Sequence, residues 1–363
     1  MYDLIVIGGG PAGTSAAITA ARNGARVLVL ERGRLPRHKV CGEFVSAESL
    51  DLVTALLDSE HAALLRDAVR IPQARLYIDG HVLKTPVDPP AASIARLDLD
   101  AALWHSAESA GAAARQQVTV QNVAGAGPFR VSTTAGEFES PAVINASGRW
   151  SNLNPPDHGM PREKWLGLKG HFEEPFPEAS VDLYFFDGGY CGVQPVNLNR
   201  QNSQHARVNA SAMVRADVAS SLSEVFARHP KLWERNRKWQ PLSDPISTSP
   251  LIFRTPQPER NHMLMAGDAV AFVDPFVGDG ISLALRSGAL AAQCLVAFFR
   301  GESSLPDAAR VYGEAYQQRL AAVFRTSSRI RRMLMLPRGV RKPLLSVLEI
   351  APAITQYLVR KTR

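Results

Sequence analysis

The chain has 363 residues, 45% of them hydrophobic and 21% charged, the composition of an ordinary globular protein of about two domains. Its net charge of +7 sits at one end: Arg319 to Arg363 holds eleven Lys or Arg against the single acid Glu349, while the other 318 residues carry 30 basic and 33 acidic groups. That excludes a generally basic body, so no nucleic-acid partner is expected, and no apolar run reaches the ~18 residues of a membrane span.

In chain order, Tyr2 to Ile7 is a short run rich in Ile and Val that reads as a strand buried on both faces. Because it begins at once, no signal peptide is expected. It runs into Gly8-Gly9-Gly10-Pro11-Ala12-Gly13, with glycine at the three places a dinucleotide demands. Gly8 permits the tight turn, Gly10 lets the backbone approach a pyrophosphate, and Gly13 lets the helix pack close to the strand. Thr14 to Asn23 is Ala-rich and helix-prone, and its N-terminal amides and dipole would face the phosphates. Gly24 stops that helix, and Ala25 to Leu30 is a second buried strand ending on Glu31 and Arg32. The Glu31 carboxylate can accept hydrogen bonds from both hydroxyls of an adenosine ribose. This much defines a dinucleotide site without separating NAD from FAD.

Arg32 to Phe44 is too punctuated for a regular element. Ser46 to Leu57 has helical spacing, and Ala74 to Val82 reads as strands with Asp79-Gly80 as a hairpin turn. Ile94 to Leu99 leads into an amphipathic helix, Asp100 to Ala110, closed by Gly111. Val118 to Val120 and Phe129 to Val131 are short strands, and Ala142 to Ile144 is a buried one ending in Asn145-Ala146-Ser147-Gly148-Arg149. From about Trp150 to Asn261, prolines, turns and aromatics accompany strand-like stretches without helix–strand alternation. Met263 to Ala266 returns as a strand, followed by a long Ala/Leu-rich helix from Gly280 to Arg300. The expected fold class is α/β (α+β): a discontinuous Rossmann-like nucleotide-binding domain (1–70, 94–150, 262–310) with an inserted, mostly antiparallel β substrate domain (71–93, 151–261). A basic helical region (311–363) would follow. Three cysteines, Cys41, Cys191 and Cys294, show neither disulfide-framework nor metal-ligand spacing, so no metal site and a reducing, cytoplasmic setting are expected.

Ala266-Gly267-Asp268-Ala269, followed by Asp274-Pro275-Phe276-Val277-Gly278-Asp279-Gly280-Ile281, forms a second signature. Asp268, beside a glycine at a strand end, can hold a ribityl hydroxyl of FAD. The loop from Pro275 through Gly278 and Asp279 to Gly280 and Ile281 leads into a helix whose amides would face the flavin N1/O2 edge. That edge becomes anionic on reduction, so a helix N-terminus there favours the reduced state. Val120, Ala146 and Gly148, on or just after the intervening strands, complete the candidate cofactor set.

On these residues the chain resembles the FAD-dependent oxidoreductases of the p-hydroxybenzoate hydroxylase fold, and within them the geranylgeranyl reductase-like branch, over essentially its whole length. The resemblance also rests on Lys39-Val40-Cys41-Gly42-Glu43, on Arg96 with Asp98, and on Gly189-Tyr190-Cys191-Gly192-Val193-Gln194-Pro195. The last is similar to the branch's substrate-domain motif, in which a strand brings a Tyr and a Pro over the flavin. The resemblance implies FAD as cofactor, Arg96 against its diphosphate or ribityl chain, and the Cys41 loop beside the isoalloxazine. Ser147-Gly148 departs from the Asp-Gly pair that hydroxylases of this fold link to flavin and NADPH binding. None of Trp104, Trp150, Trp165, Trp233 and Trp239 forms the Trp-x-Trp motif of halogenases. With no second Gly-rich βαβ unit, NAD(P)H would bind transiently to this same fold, or another donor would reduce the flavin.

The candidate catalytic residues near the flavin C4a/N5 region are Cys41, Glu43 and Tyr190, with Cys191 beside them. A thiol there can tune the flavin or pass a proton, or simply pack. Glu43 can orient its loop through Lys39 or donate a proton, and Tyr190 can supply a proton or cover the ring. His171 and His205 look isolated and receive no role. Phe172, Phe176, Tyr184, Phe185 and Phe186 suggest a wall for an apolar or aromatic substrate. The expected activity is reduction or dehydrogenation of C–C bonds in an apolar, isoprenoid- or polyketide-like molecule by hydride transfer at flavin N5. A monooxygenase acting through a C4a-hydroperoxide and an electron-relay flavoprotein are the alternatives. The tail, with Ile330, Met333 to Leu336, Leu344-Leu345, Val347-Leu348 and Leu358 among basic residues, reads as a helical cap with a solvated charged face. Alternatively it seats the protein peripherally on anionic lipid or on an acidic carrier protein.

Overall fold

A computed structural model describes residues 1–149, 151–153, 163–196, 205–334 and 339. Its organising layer is a six-stranded sheet ordered Glu259–Arg260, Met263–Met265, Ala142–Asn145, Leu4–Ile7, Val27–Glu31, Ala113–Gln116. All neighbours are parallel except the antiparallel edge strand Glu259–Arg260. The central strands Leu4–Ile7, Val27–Glu31 and Ala142–Asn145 are buried at every position. Their unbroken apolar runs follow, because both faces of the sheet are covered.

The two ends of the chain meet on this sheet. Helix Pro11–Arg22 packs on helix Gly280–Cys294, and the approach is so close that a Cβ on Gly288 would lie 2.0 Å from the Ala12 carbonyl oxygen. The Ser15 hydroxyl donates to the Leu285 carbonyl at 2.8 Å, and the buried Tyr312 hydroxyl donates to the Met265 carbonyl at 2.6 Å. The run Gly280–Phe299 is long and apolar enough to cross a membrane by composition, but 67% of its most apolar window is buried inside the protein. It is a core helix.

The second layer is a nine-stranded sheet ordered Gln240–Pro241, Trp165–Pro175, His205–Arg215, Gly189–Pro195, Ser180–Phe186, Val69–Ile78, His81–Ser93, Phe44–Val45, with Ile246–Thr248 also paired to Trp165–Pro175. It is antiparallel except where Ser180–Phe186 runs parallel to Val69–Ile78. Asp79 and Gly80, both left-handed (φ 51° and 89°), turn Val69–Ile78 into His81–Ser93. A three-stranded meander, Val120–Gly125, Phe129–Thr133 and Gly136–Ser140, stands apart.

Three local expectations are corrected. The helix expected from Asp100 begins at Arg96, where Arg96 and Asp100, one turn apart, form a bidentate pair at 2.7 Å for both bonds. The stretch expected to be strand-like also contains the short helices Leu222–Ala227 and Pro230–Asn236. Ser221 caps the first by accepting from the Glu224 amide, and Pro230 opens the second. The long helix expected to reach Arg300 ends at Cys294 and is followed by a separate turn, Val296–Phe299. Of the tail, Ala321–Leu334 is helical; Met335-Leu336, Leu344-Leu345, Val347-Leu348 and Leu358 lie outside the described residues.

Candidate active site

A cavity of about 770 Å³ opens between the carboxyl ends of the parallel strands and one face of the large sheet. Gly8, Gly10, Pro11, Ala12, Glu31, Arg32, Cys41, Arg96, Val120, Ala146 and Gly148 all line it. So do Gly267, Asp268, Pro275, Gly278, Gly280 and Ile281, together with Glu43 and Tyr190. Two expected residues do not. A Cβ on Gly13 would lie 1.8 Å from the Gly8 carbonyl oxygen, so this position serves helix–strand packing rather than contact. Asp279 is buried, and its Oδ1 accepts from the Ser46 hydroxyl at 2.9 Å; burial pushes its pKa up to about 6. Its carboxylate ties the helix start to the chain at Ser46 instead of facing the cavity.

The walls fit an extended dinucleotide. At Gly8 (φ 112°) a Cβ would lie 2.3 Å from the Ala146 carbonyl oxygen, so the turn closes only as glycine. At Gly10 the nearest atom to a Cβ is an Arg96 guanidinium nitrogen at 3.9 Å, which leaves an open flank beside a cation. The starts of helices Pro11–Arg22 and Gly280–Cys294 both reach the cavity, and neither is closed by a side-chain cap or a first-turn acid among the described residues. Their free amides and positive dipole ends favour anionic groups. Glu31 is buried in the wall, accepting from the Gly9 amide at 2.8 Å, the Gly33 amide at 2.7 Å and Arg37 at 2.6 Å. Asp268 faces Arg149 at 3.3 Å, and that guanidinium lies 4.5 Å over the Phe272 ring. FAD fits these walls: the glycine turn, Glu31 and Arg96 would hold its dinucleotide half, and Asp268 with the Gly280 helix start its flavin half.

Glu43 has partners the sequence did not announce. It is completely buried at φ 61°, and its carboxylate accepts from the Lys169 ammonium, from His171 Nε2 at 2.8 Å and from the Arg96 amide at 2.9 Å. The expected orientation by Lys39 gives way to Lys169, and His171, given no role, is half of the cluster. Burial alone would push the Glu43 carboxyl up, but the His171 hydrogen bond and the Lys169 charge outweigh it and hold it below the ordinary value. Glu43 is therefore an ionised clip, unsuited to donate a proton at neutral pH. It pins the Cys41 loop: the Cys41 sulfur accepts from the Glu43 amide at 3.3 Å, and Asn209 Nδ2 donates to the Cys41 carbonyl at 3.0 Å. Lys169 and His171 stand two apart on strand Trp165–Pro175 and so share a face. Two ionisable residues at that spacing inside an apolar strand were the available signal.

Tyr190 projects into the cavity, and its hydroxyl donates to Asp274 Oδ1 at 3.2 Å. Asp274 also accepts from the Phe276 amide at 3.3 Å and lies 3.6 Å from Arg331. Burial pushes Asp274 up to about 6, with Arg331 opposing, and pushes the Tyr190 phenol well above its usual range. Neighbouring Cys191 points to the other side of its strand. It is fully buried, and burial raises its thiol to about 12, which makes it a packing residue.

The expected aromatic wall is also corrected. Of its five members only Phe185 lines the cavity. Phe172 packs against Phe226 and Trp239, Tyr184 stacks on Tyr77 at 4.5 Å, Phe186 joins the Phe172 side, and Phe176 is 73% exposed. The apolar lining comes instead from Phe44, Phe272 and Phe276 and from aliphatic residues such as Leu76, Ile78, Leu83 and Leu183.

Comparison with known proteins gives a consistent picture. Residues 3–40 match the sequence model of a family described as FAD dependent oxidoreductase. A menaquinone reductase of Mycobacterium tuberculosis is 26% identical over 366 residues, covering 93% of this chain and 85% of that protein. Digeranylgeranylglycerophospholipid reductase 1 of Methanopyrus kandleri is 25% identical over 358 residues, covering 92% and 90%. A geranylgeranyl bacteriochlorophyll reductase-like protein of Thermoplasma acidophilum superposes with a TM-score of 0.75 at 20% identity, over 96% of this chain and 91% of that one. A flavin-dependent brominase superposes at 0.78 with 18% identity, over 99% and 93%. At such identities the superpositions speak for a shared fold. The cavity walls and the sequence matches define an FAD-dependent oxidoreductase. Within that class its sequence is similar to that of a digeranylgeranylglycerophospholipid reductase, and its fold to that of a geranylgeranyl bacteriochlorophyll reductase-like protein.

Proposed function

We propose that the protein reduces carbon–carbon double bonds in an elongated apolar molecule of polyprenyl type. The observation that carries this reading is the aliphatic wall, Leu76, Ile78, Leu83 and Leu183, which lines the same cavity as the residues assigned to FAD. The Tyr190 hydroxyl stands in the same cavity. The relatives named above are reductases of a menaquinone and of a digeranylgeranyl lipid, and both names describe apolar isoprenoid substrates.

FAD, when bound, supplies a hydride to one alkene carbon. Tyr190 supplies the proton that the neighbouring carbon takes as the π bond opens; Asp274, in its protonated form, returns a proton to the phenol oxygen and is itself reprotonated from solvent. The sulfur and backbone of the Cys41 loop form a wall of the same chamber, held in register by the Glu43 clip. The aliphatic wall excludes water, so that the proton comes from a placed group. Electrons enter from NAD(P)H bound transiently at this same fold, in keeping with a sequence that carries one glycine-rich strand–turn–helix unit.

The test is anaerobic. Reduced holoprotein is mixed with polyprenyl alkenes, and the return of oxidised-flavin absorbance is compared with the amount of product bearing two added hydrogens. Matching stoichiometry supports the reductase. Failure of every polyprenyl acceptor refutes it, as does a product that gains oxygen after a long-lived oxygen adduct in air. Bleaching by NADH or NADPH, each tried alone, checks the donor.

A further inference from the structure

Part of the cavity wall comes from a stretch of the chain with no role in the reaction above. Ala74, Leu76 and Ile78 alternate onto one face of their strand, and Ala74 and Leu76 pair with Val181 and Leu183. The wall therefore runs along the strands for about 13 Å, at ~3.3 Å per residue from Ala74 to Ile78. At its end Ile78 and Leu83 pack in a small cluster with Leu76, Phe185 and Met333.

Met333 belongs to helix Ala321–Leu334, as does Ile330, and both line the cavity. Three residues apart, they occupy one face of the helix. Arg331 seats this turn. Its guanidinium lies 3.8 Å over the Phe253 ring and 5.4 Å over Trp165, and its Nε is 3.6 Å from Asp274, the carboxylate that holds Tyr190. A cation between two rings and a buried carboxylate fixes the helix against the sheet. Its apolar neighbours then form a floor rather than a loose flap.

We propose that Ile330 and Met333 are specificity-determining residues: they form the end wall of the substrate channel and set the length of apolar chain it accepts. The inference rests on the polyprenyl reading of the site. A chain too long for the channel must displace close-packed side chains, and one too short leaves apolar wall atoms without partners. Length is thus sensed by packing.

The experiment uses FAD-loaded protein and two readouts. In the first, saturated straight-chain alcohols of graded length are titrated as unreactive ligands, and binding is followed by perturbation of the flavin absorbance. In the second, polyprenyl alcohols of graded length are tested as oxidants of the reduced protein. Met333→Ala and, separately, Ile330→Ala should move the best-bound length upward, changing the long-to-short affinity ratio by roughly ten-fold, and Met333→Trp should move it downward. Flavin content and thermal midpoint identify any variant that has not folded, and the two alanine variants are the mild ones. A wild-type length profile in both folded alanine variants overturns the proposal, as does the absence of any chain-dependent perturbation in the wild type. A shifted profile with no polyprenyl reduction keeps the end wall and removes the reductase reading.

Discussion

Glu43→Gln puts the buried clip under the Cys41 loop to a quantitative test. The substitution keeps shape and two acceptor contacts but removes the charge, leaving the Lys169 ammonium, on a side chain only 2% exposed, without its carboxylate. Removing one partner of a buried ion pair costs about 3–5 kcal/mol, whereas replacing the whole pair is often close to neutral. Glu43→Gln should therefore lose about 3–5 kcal/mol of unfolding free energy, and adding Lys169→Met should recover most of it. Urea unfolding of FAD-loaded and FAD-free protein, read by circular dichroism and flavin release, measures both. The pH dependence has a definite sign. Because the folded-state pKa of Glu43 is lowered from its ordinary value, its stabilisation is present above that value and is lost as pH falls through the lower folded one. The wild type should lose stability on the acid side below the usual carboxylate range, and the Gln variant should follow a flatter curve there. A Gln variant within about 1 kcal/mol of wild type, with no rescue in the double variant, refutes the ion-pair account.

Other consequences are as direct. Gly13→Ala places a Cβ 1.8 Å from the Gly8 carbonyl oxygen, a backbone atom that cannot yield without opening the turn. The purified variant should be largely free of FAD, as judged by the ratio of flavin to protein absorbance. Tyr190→Phe keeps the ring and removes the proton, so reoxidation of the reduced protein by alkene should slow by about 10²-fold or more while reduction by the donor is unchanged. Stopped-flow absorbance separates these two half-reactions. Asp274 is raised from 3.8 to about 6 by burial, so its favourable contribution to folding is complete below the unfolded value and is lost as pH rises through about 6. Asp274→Asn should flatten the stability curve across that window. Alkene turnover of the wild type should decline as pH rises through the same range, and Asp274→Asn should remove that dependence.

What the sequence determined by itself is what short-range chain geometry controls. The glycine spacing from Gly8 to Gly13, the unbroken apolar strands beside it and the Gly267-Asp268 turn each depend on neighbours a few residues away. The pattern therefore carried the parallel sheet, the helix it feeds and the class of cofactor. Even the Asp79-Gly80 hairpin was legible, because two left-handed residues in sequence admit few side chains. The tertiary structure alone decided which side chains face the chamber. Glu43 meets Lys169 and His171 across 126 and 128 residues, so the nearby Lys39 was a plausible partner until sheet pairing supplied better ones. Asp279 turns to Ser46, 233 residues away, although its loop reaches the cavity. Consecutive aromatics Tyr184, Phe185 and Phe186 point to alternate faces, and only the pairing of that strand with Val69–Ile78 makes the Phe185 face the cavity wall. Periodicity says which residues share a face. Which face is buried, and against what, depends on contacts between segments far apart in the chain, and these form only when the whole molecule packs.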